Sequence, residues 1–424
     1  MEPCDGSPEA GTLCVVTLNL CVLSSGITNR HLPTELLLGS SLFAALAWAL
    51  LWSLGAGLRT LCLAAPVLIL AAPQLGVACA RCLAPLWWLL GFNDFKRERI
   101  DALLELLAVH EDLRQTDVLC VQECYGALLW DGGFPERLTE GARGLGFVHV
   151  VRSVKWPDFP AALAQNSGLL ILSKRPIVKS SSLTFGISLE AANVNRGALH
   201  AELQGGLHIF TCHVSPAASV TGSGLAKLLL TPLFDHARRR QAQELADFIR
   251  RCAPRGESVV LAGDLNLDLS FNNDIKKHNN NNDNNNDNAG AQLRVQPSEH
   301  AVHILSLLKD QCGLVDATSQ ARCTPNAGLE GPPVLRHFRP TFGHTGASGL
   351  PQERWLTSLG DGALREKGDD AILSRGLVVR EVAEDELLIN ESRRPRPEVA
   401  FISDHWAVRA RLTLNSQEMP PKLQ

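Results

Sequence analysis

From Leu36 to Leu58 the chain carries no charged residue, and from Thr60 to Ala80 it carries none again. Only Arg59 and Arg81 break the run before Phe92. A helix on a water-exposed surface keeps one polar face, so segments that are apolar on every side are expected to be shielded from water. Each stretch exceeds the roughly 18 apolar residues of a membrane-span candidate. Trp48, Trp52, Trp87 and Trp88 fall in or at the edges of the region, as interfacial aromatics do. The region is expected to be a membrane-associated helical element, with a buried helical hairpin as the alternative. Either way, residues 32–92 form an insertion that parts a first piece, 1–31, from a long body, 93–414, followed by a tail, 415–424.

With 424 residues, 45% hydrophobic and 20% charged, the chain can bury a sizeable core. A formal net charge of −4 argues against a protein that grips a polyanion over its whole surface, although it allows a local basic patch. The 12 cysteines are scattered and form no paired CxxC clusters, which argues against a structural zinc site and for buried reduced thiols. The opening "MEPCDGSPEAG" is acidic, the opposite of the basic start of a secretory signal.

Short apolar runs and amphipathic helices alternate along the body. "LCVVTLNLCVL" (13–23) reads as a strand interrupted by Asn19, and "FKRERIDALLELLAVH" as a helix with apolar residues at helical spacing. Strands follow at "DVLCVQEC", "SGLLILSKRPI" and "LHIFTCHVSP", then a helix at 235–251. "VVLAGDLNLD" (259–268) is a further strand, and "GDDAILS" and "FISDHWAVRARL" repeat the pattern near the C-terminus. Residues 279–288, almost all Asn, read as a surface insertion without a core, and 324–365 as loop. The alternation predicts an α/β domain of layered-sandwich type.

Polar residues stand at the ends of these runs. In "VVLAGDLNLD", Asp264 and Asn266 are two residues apart, so on a strand they project to the same side. Asn19, Glu123, His213, Asp404 and His405 likewise interrupt or border apolar strands. Any one of them is as well explained by a turn or a satisfied buried polar group; together they point to one place.

"TLN" (17–19), "VQE" (121–123), "CH" (212–213), "GDLN" (263–266) and "SDH" (403–405) resemble, in order, the motifs of the endonuclease/exonuclease/phosphatase superfamily. The resemblance implies a four-layer sandwich of two mixed β-sheets flanked by helices, with a site for Mg²⁺, or Mn²⁺ as a substitute. It implies that Glu123 is a direct metal ligand and that Asn19 helps hold the ion. Asp264 and Asn266 would contact the attacking water and the phosphate, His213 the phosphate, and His405 would be the general base, with Asp404 beside it. Asp370 matches the position of the carboxylate that orients that histidine, although Ala371 replaces the tyrosine usual beside it and Asp369 is adjacent. The chemistry is coherent: phosphodiester hydrolysis needs an activated water and a cation over the phosphate, and Mg²⁺ prefers oxygen ligands.

Within the superfamily, "NSGLLILSKRPI" and "NRGALHAEL" resemble the neutral sphingomyelinases, with Arg196 at the position of a lysine. This implies hydrolysis of sphingomyelin, or a related phospholipid, to ceramide and phosphocholine, with an anionic lipid as a candidate further partner and no nucleic acid expected. If Asn19 and Glu123 meet at one ion, the insertion must leave and re-enter the same compartment, and "KRER" after Phe92 places the catalytic part on the cytosolic side of a membrane. The rivals are a nuclease or a phosphoinositide phosphatase of the same fold, and a membrane-bound scaffold with a vestigial site. A nuclease should carry a basic groove, whereas the cluster Arg238–Arg240 reads as a solvated helix face.

Overall fold

A computed structural model describes residues 12–22, 95–125, 133–153, 166–186, 194–216, 225–272, 294–296, 298–317, 367–385, 387–395, 401–403 and 405–414. They form β1 (Thr12–Val22), α1 (Lys96–Val109), α2 (Glu111–Arg114), β2 (Val118–Cys124), α3 (Phe134–Gly144), β3 (His149–Arg152), β4 (Leu170–Ser173) and β5 (Ile177–Thr184). Next come β6 (Gly197–Leu203), β7 (Leu207–His213), α4 (Leu225–Cys252), β8 (Ser258–Asn272), β9 (Arg294–Gln296) and α5 (Glu299–Cys312). The C-terminal part adds β10 (Val315–Asp316), β11 (Lys367–Arg375), β12 (Leu377–Asp385) and β13 (Ala407–Leu414). Two mixed sheets result, ordered β12-β13-β1-β2-β4-β3 and β10-β11-β8-β7-β6-β5, with β9 beside β8. β1 runs parallel to β2 and β7 parallel to β8.

Both faces of the central strands are covered, which is why those strands read as near-continuous apolar runs, whereas the edge strands β5 and β12 are partly exposed. Alternate residues nevertheless go to different cores. Leu13 and Val15 of β1, Val118 and Cys120 of β2, Leu207 and Ile209 of β7, and Val260 and Ala262 of β8 meet between the sheets. Val16, Leu18 and Leu20 face the opposite way and pack with Ile100 and Leu103 of α1 and Leu138 of α3. Phe210, Leu261 and Leu265 pack with Leu245 and Ile249 of α4 and Ile304 and Leu308 of α5. The layers are therefore helix, sheet, sheet, helix. The run at 167–177 divides into β4 and the start of β5, and the helix expected at 235–251 is longer, Leu225–Cys252. Among the described residues six cysteines are free and five of these are buried.

The expectation of a membrane-associated chain with a cytosolic-facing catalytic part is corrected here. Among the described residues no helix is long and apolar enough to cross a membrane. The charges taken to mark the cytosolic flank have another use: Lys96 is 2% and Arg99 0% exposed, both inside the domain. Lys96 Nζ lies 5.9 Å from the Phe134 ring centroid, and Arg99 donates to the Ile402 carbonyl at 2.5 Å and the Leu20 carbonyl at 2.7 Å. The apolar insertion at 32–92, the Asn-rich run at 279–288, the loop at 324–365 and Asp404 lie outside the described residues.

Candidate active site

Along the inward row of each central strand, apolar residues give way to polar ones at a common level. On β1 the row reads Leu13, Val15, Thr17, Asn19; on β7, Leu207, Ile209, Thr211, His213; on β8, Val260, Ala262, Asp264. Pairing then aligns these ends. His213 stands opposite Asp264 across β7 and β8, and Asp370 opposite Asp264 across β11 and β8. Asn19, from the facing sheet, donates its Nδ2 to Asp264 Oδ2 at 2.8 Å. Gly263 allows the strands to come this close, since a Cβ there would lie 2.4 Å from the Cys212 carbonyl oxygen.

His405 precedes β13 and reaches across to the second sheet. Its Nδ1 lies 2.7 Å from Asp370 Oδ2, with both residues buried. Ser403 fixes this segment, because its hydroxyl donates to the Asn19 carbonyl and accepts the His405 backbone N–H at 3.1 Å.

Glu123 joins by a local distortion. Positions 118, 120 and 122 face the inter-sheet core, so strict alternation would turn 123 away. Instead Glu123 has φ 58, in the left-handed region, and Cys124 falls on the outer face with α1 and α3. The kink brings Glu123 Oε1 to 3.7 Å from His213 Nε2 and 3.9 Å from Arg196 Nη1. Arg196 Nη1 is also 2.6 Å from a His213 ring nitrogen and donates to Tyr125 Oη at 3.2 Å. Asn266, with φ 46, is the second distorted residue. Its backbone N–H donates to Asp264 Oδ1 at 2.8 Å, its Nδ2 to the Val214 carbonyl at 2.7 Å, and its own carbonyl accepts from Arg238 at 2.7 Å. Of three non-glycine residues with left-handed backbone among those described, two belong to this cluster, and such strain concentrates at functional sites.

The electrostatics are those of crowded acids beside a neutral imidazole. Burial, and next the charge of Asp370, pushes the Asp264 carboxyl well above the usual carboxylate range. Burial, with Arg196 and His405 adding to it, holds His213 well below the usual imidazole value, so it is neutral. Asp264, Asp370 and His405 each offer a ligand atom within 4.8 Å of the others. The oxygen-rich set of Glu123, Asp264 and the Asn19 amide fits a hard divalent cation, which would offset the repulsion between buried carboxylates.

Asn19, Glu123, Arg196, His213, Asp264, Asn266, Asp370 and His405 are thus brought to one end of the sandwich, while Asp404 lies outside the described residues. Sequence reasoning missed Tyr125, Ser403 and Arg238. Arg238, read as part of a solvated face, is 2% exposed. Ser403 is the first letter of "SDH" and Tyr125 stands two residues past "VQE", which was the available signal. Nothing in helical spacing marked Arg238.

A model of the Endonuclease/Exonuclease/phosphatase family matches residues 87–405. It leaves out β1, so Asn19 enters the site from outside the matched range. A sphingomyelinase of Dictyostelium discoideum is 26% identical over 186 residues, covering 39% of this chain and 40% of that protein. The match thus spans about two-fifths of the relative's length. The crystal structure of a beta toxin from Staphylococcus aureus superposes with a TM-score of 0.50 at 14% identity, over 94% of this chain and 99% of that one. That likeness speaks for the fold alone.

Proposed function

Since the chain belongs to the Endonuclease/Exonuclease/phosphatase family, a family of hydrolases, we propose that it is a Mg²⁺-dependent phosphodiesterase that cleaves sphingomyelin to ceramide and phosphocholine. The observation that carries the chemistry is the His405–Asp370 contact of 2.7 Å beside Asp264 and Asn19. The substrate rests on the likeness to the Dictyostelium sphingomyelinase and on the neutral-sphingomyelinase motifs around Arg196.

In this reading Asp370 accepts the Nδ1–H of His405, leaving Nε2 to take a proton from the attacking water. Water oxygen bonds to phosphorus as His405 takes its proton, the bond from phosphorus to the ceramide oxygen breaks, and that oxygen leaves as an alcohol with a proton drawn from solvent, to which His405 returns its own. Arg196 supplies positive charge to the phosphate, with neutral His213 as a further hydrogen-bonding partner. Asn19 keeps Asp264 aligned, and the Asn266 amide lies beside the same carboxylate. Glu123, Asp264 and Asn19 would hold Mg²⁺, which when bound neutralises phosphate charge.

The test incubates the chain with sphingomyelin vesicles and Mg²⁺ and measures released phosphocholine, beside plasmid nicking and dephosphorylation of inositol lipids. Phosphocholine release without the other two products is expected. Its absence, even with anionic lipid added, removes the sphingomyelinase reading; nicking or dephosphorylation instead assigns the site to a rival activity.

A further inference from the structure

The motifs at the strand ends contain letters that the proposed chemistry does not use. Thr17 stands in "TLN", Gln122 in "VQE", and Thr211 directly before "CH". All three are 0% exposed. Gln122 Nε2 donates to Thr17 Oγ1 at 3.0 Å and to Thr211 Oγ1 at 2.8 Å, and the Thr17 hydroxyl is 3.3 Å from Gln122 Oε1. Thr17 and Gln122 belong to the first sheet and Thr211 to the second. The trio forms a polar layer between the apolar inter-sheet core and the site. One step further along the inward row lie Asn19 and His213, and Glu123 follows Gln122 directly.

The location matters because the site is split. Asn19, Glu123 and the His405 segment come with the first sheet; Arg196, His213, Asp264 and Asp370 come with the second. Apolar contact between sheets is non-directional and tolerates small lateral slips. A hydrogen bond of 2.8 Å does not, because its energy falls steeply with angle and length. Of the other cross-sheet bonds nearby, Asn19 to Asp264, His405 to Asp370 and Arg196 to Tyr125 are made by the site's own groups or directly against them, while Cys120 of β2 adds a bond to Thr211 within the same polar layer. In the proposed reaction the site's groups meet the metal or the substrate, whereas Gln122 bonds only to Thr17 and Thr211.

We infer that Gln122 is a positioning residue that sets the register of the two half-sites across the sheets, and that through its neighbour it also anchors the left-handed turn at Glu123. The inference rests on the phosphodiesterase reading for its kinetic consequence. A misplacement of about 1 Å can lower turnover by about 10²-fold, so a side chain that touches no substrate can control kcat.

The test uses the full chain with Gln122→Met and, separately, the triple variant Thr17→Val, Gln122→Met, Thr211→Val. The single variant removes the amide that both buried hydroxyls bond to, whereas the triple variant replaces all three side chains by apolar groups and is expected to regain thermal stability. For both, kcat for phosphocholine release should fall by about 10–100-fold while KM stays within about twofold. Binding of Mn²⁺ alone, followed by calorimetry, should weaken by about 10-fold or more in both. A triple variant with wild-type kcat and Mn²⁺ affinity overturns the inference, because the layer would then serve stability only. Failure of both variants to fold overturns it in the same sense. If the wild type binds Mn²⁺ but releases no phosphocholine, the substrate reading falls and the Mn²⁺ comparison alone decides on Gln122. A wild type that does neither overturns both.

Discussion

Asp370 faces the Nδ1 edge of His405 and Asp264 faces Asn19, so two carboxylates on neighbouring strands have different partners. This division gives separate predictions. His405→Ala should abolish turnover in a chain that still folds and melts cooperatively, and Asp370→Asn should lower kcat by about 10²–10⁴-fold, because the amide cannot hold the same tautomer. Phosphocholine release beside thermal melts checks both; retained activity in His405→Ala would remove it as the base. Chelation of divalent ions should stop the reaction and added Mg²⁺ restore it. Glu123→Gln should raise the Mg²⁺ concentration for half-maximal rate by about 10-fold or more, measured by titrating Mg²⁺ into the assay. At this scale the sequence was informative because each site residue is a polar letter at the end of an apolar run. Glu123 was named because it ends an apolar run and stands in "VQE", but its direction was not legible. Period-two alternation turns it away from the cleft, and the backbone kink that redirects it has no marker such as glycine.

Single elements are tied to the site by contacts that pattern reading does not capture. Arg99 of α1 links the Leu20 carbonyl after Asn19 to the Ile402 carbonyl before Ser403 and His405. In the sequence it is one member of "KRER", and charge runs usually mark solvated or membrane-flanking segments. What the run lacks is any record of the partner carbonyls, which come from both ends of the chain. Arg99→Met should therefore cost about 2–4 kcal/mol in a urea melt by stranding those acceptors. A loss within about 0.5 kcal/mol, the range of ordinary surface substitutions, would show that the clamp contributes little. Gly263 makes the same point for β8. The "GDLN" motif names the glycine, but the reason for it is the Cys212 backbone on the adjacent strand. Gly263→Ala should force β7 and β8 apart and reduce soluble, folded yield, whereas unchanged melting would mean that the strands can absorb a methyl group.

For the whole molecule, the layered α/β architecture was legible because the alternation of runs and helices survives the insertion. The pairing order was not, since β1 binds β13 from the other end of the chain and local patterns carry no record of such closures. The fold also buries histidines that take no part in the proposed chemistry, and these bear on how it responds to acid. His200 stacks on Phe210 with ring centroids 4.6 Å apart, and its Nε2 is 2.9 Å from His208 Nδ1. Burial, then His208 and Lys179, lowers its pKa from 6.5 to about 4. His300, at the start of α5, is lowered to about 3 by burial and then by Arg238. His208 is lowered too, by burial, against the pull of Glu257. Above about pH 6.5 these groups are neutral in both folded and unfolded chains and contribute no pH dependence. Below it the unfolded chain binds protons that the folded chain refuses, so stability falls as pH drops from about 6.5 towards the depressed values. Each unit of depression is worth about 1.4 kcal/mol. His200→Phe with His300→Leu, which keep the apolar packing and remove the titration, should flatten the decline in urea-unfolding free energy between about pH 6.5 and 4 relative to wild type. If the two proteins lose stability in parallel across that window, carboxylates rather than these imidazoles govern acid unfolding.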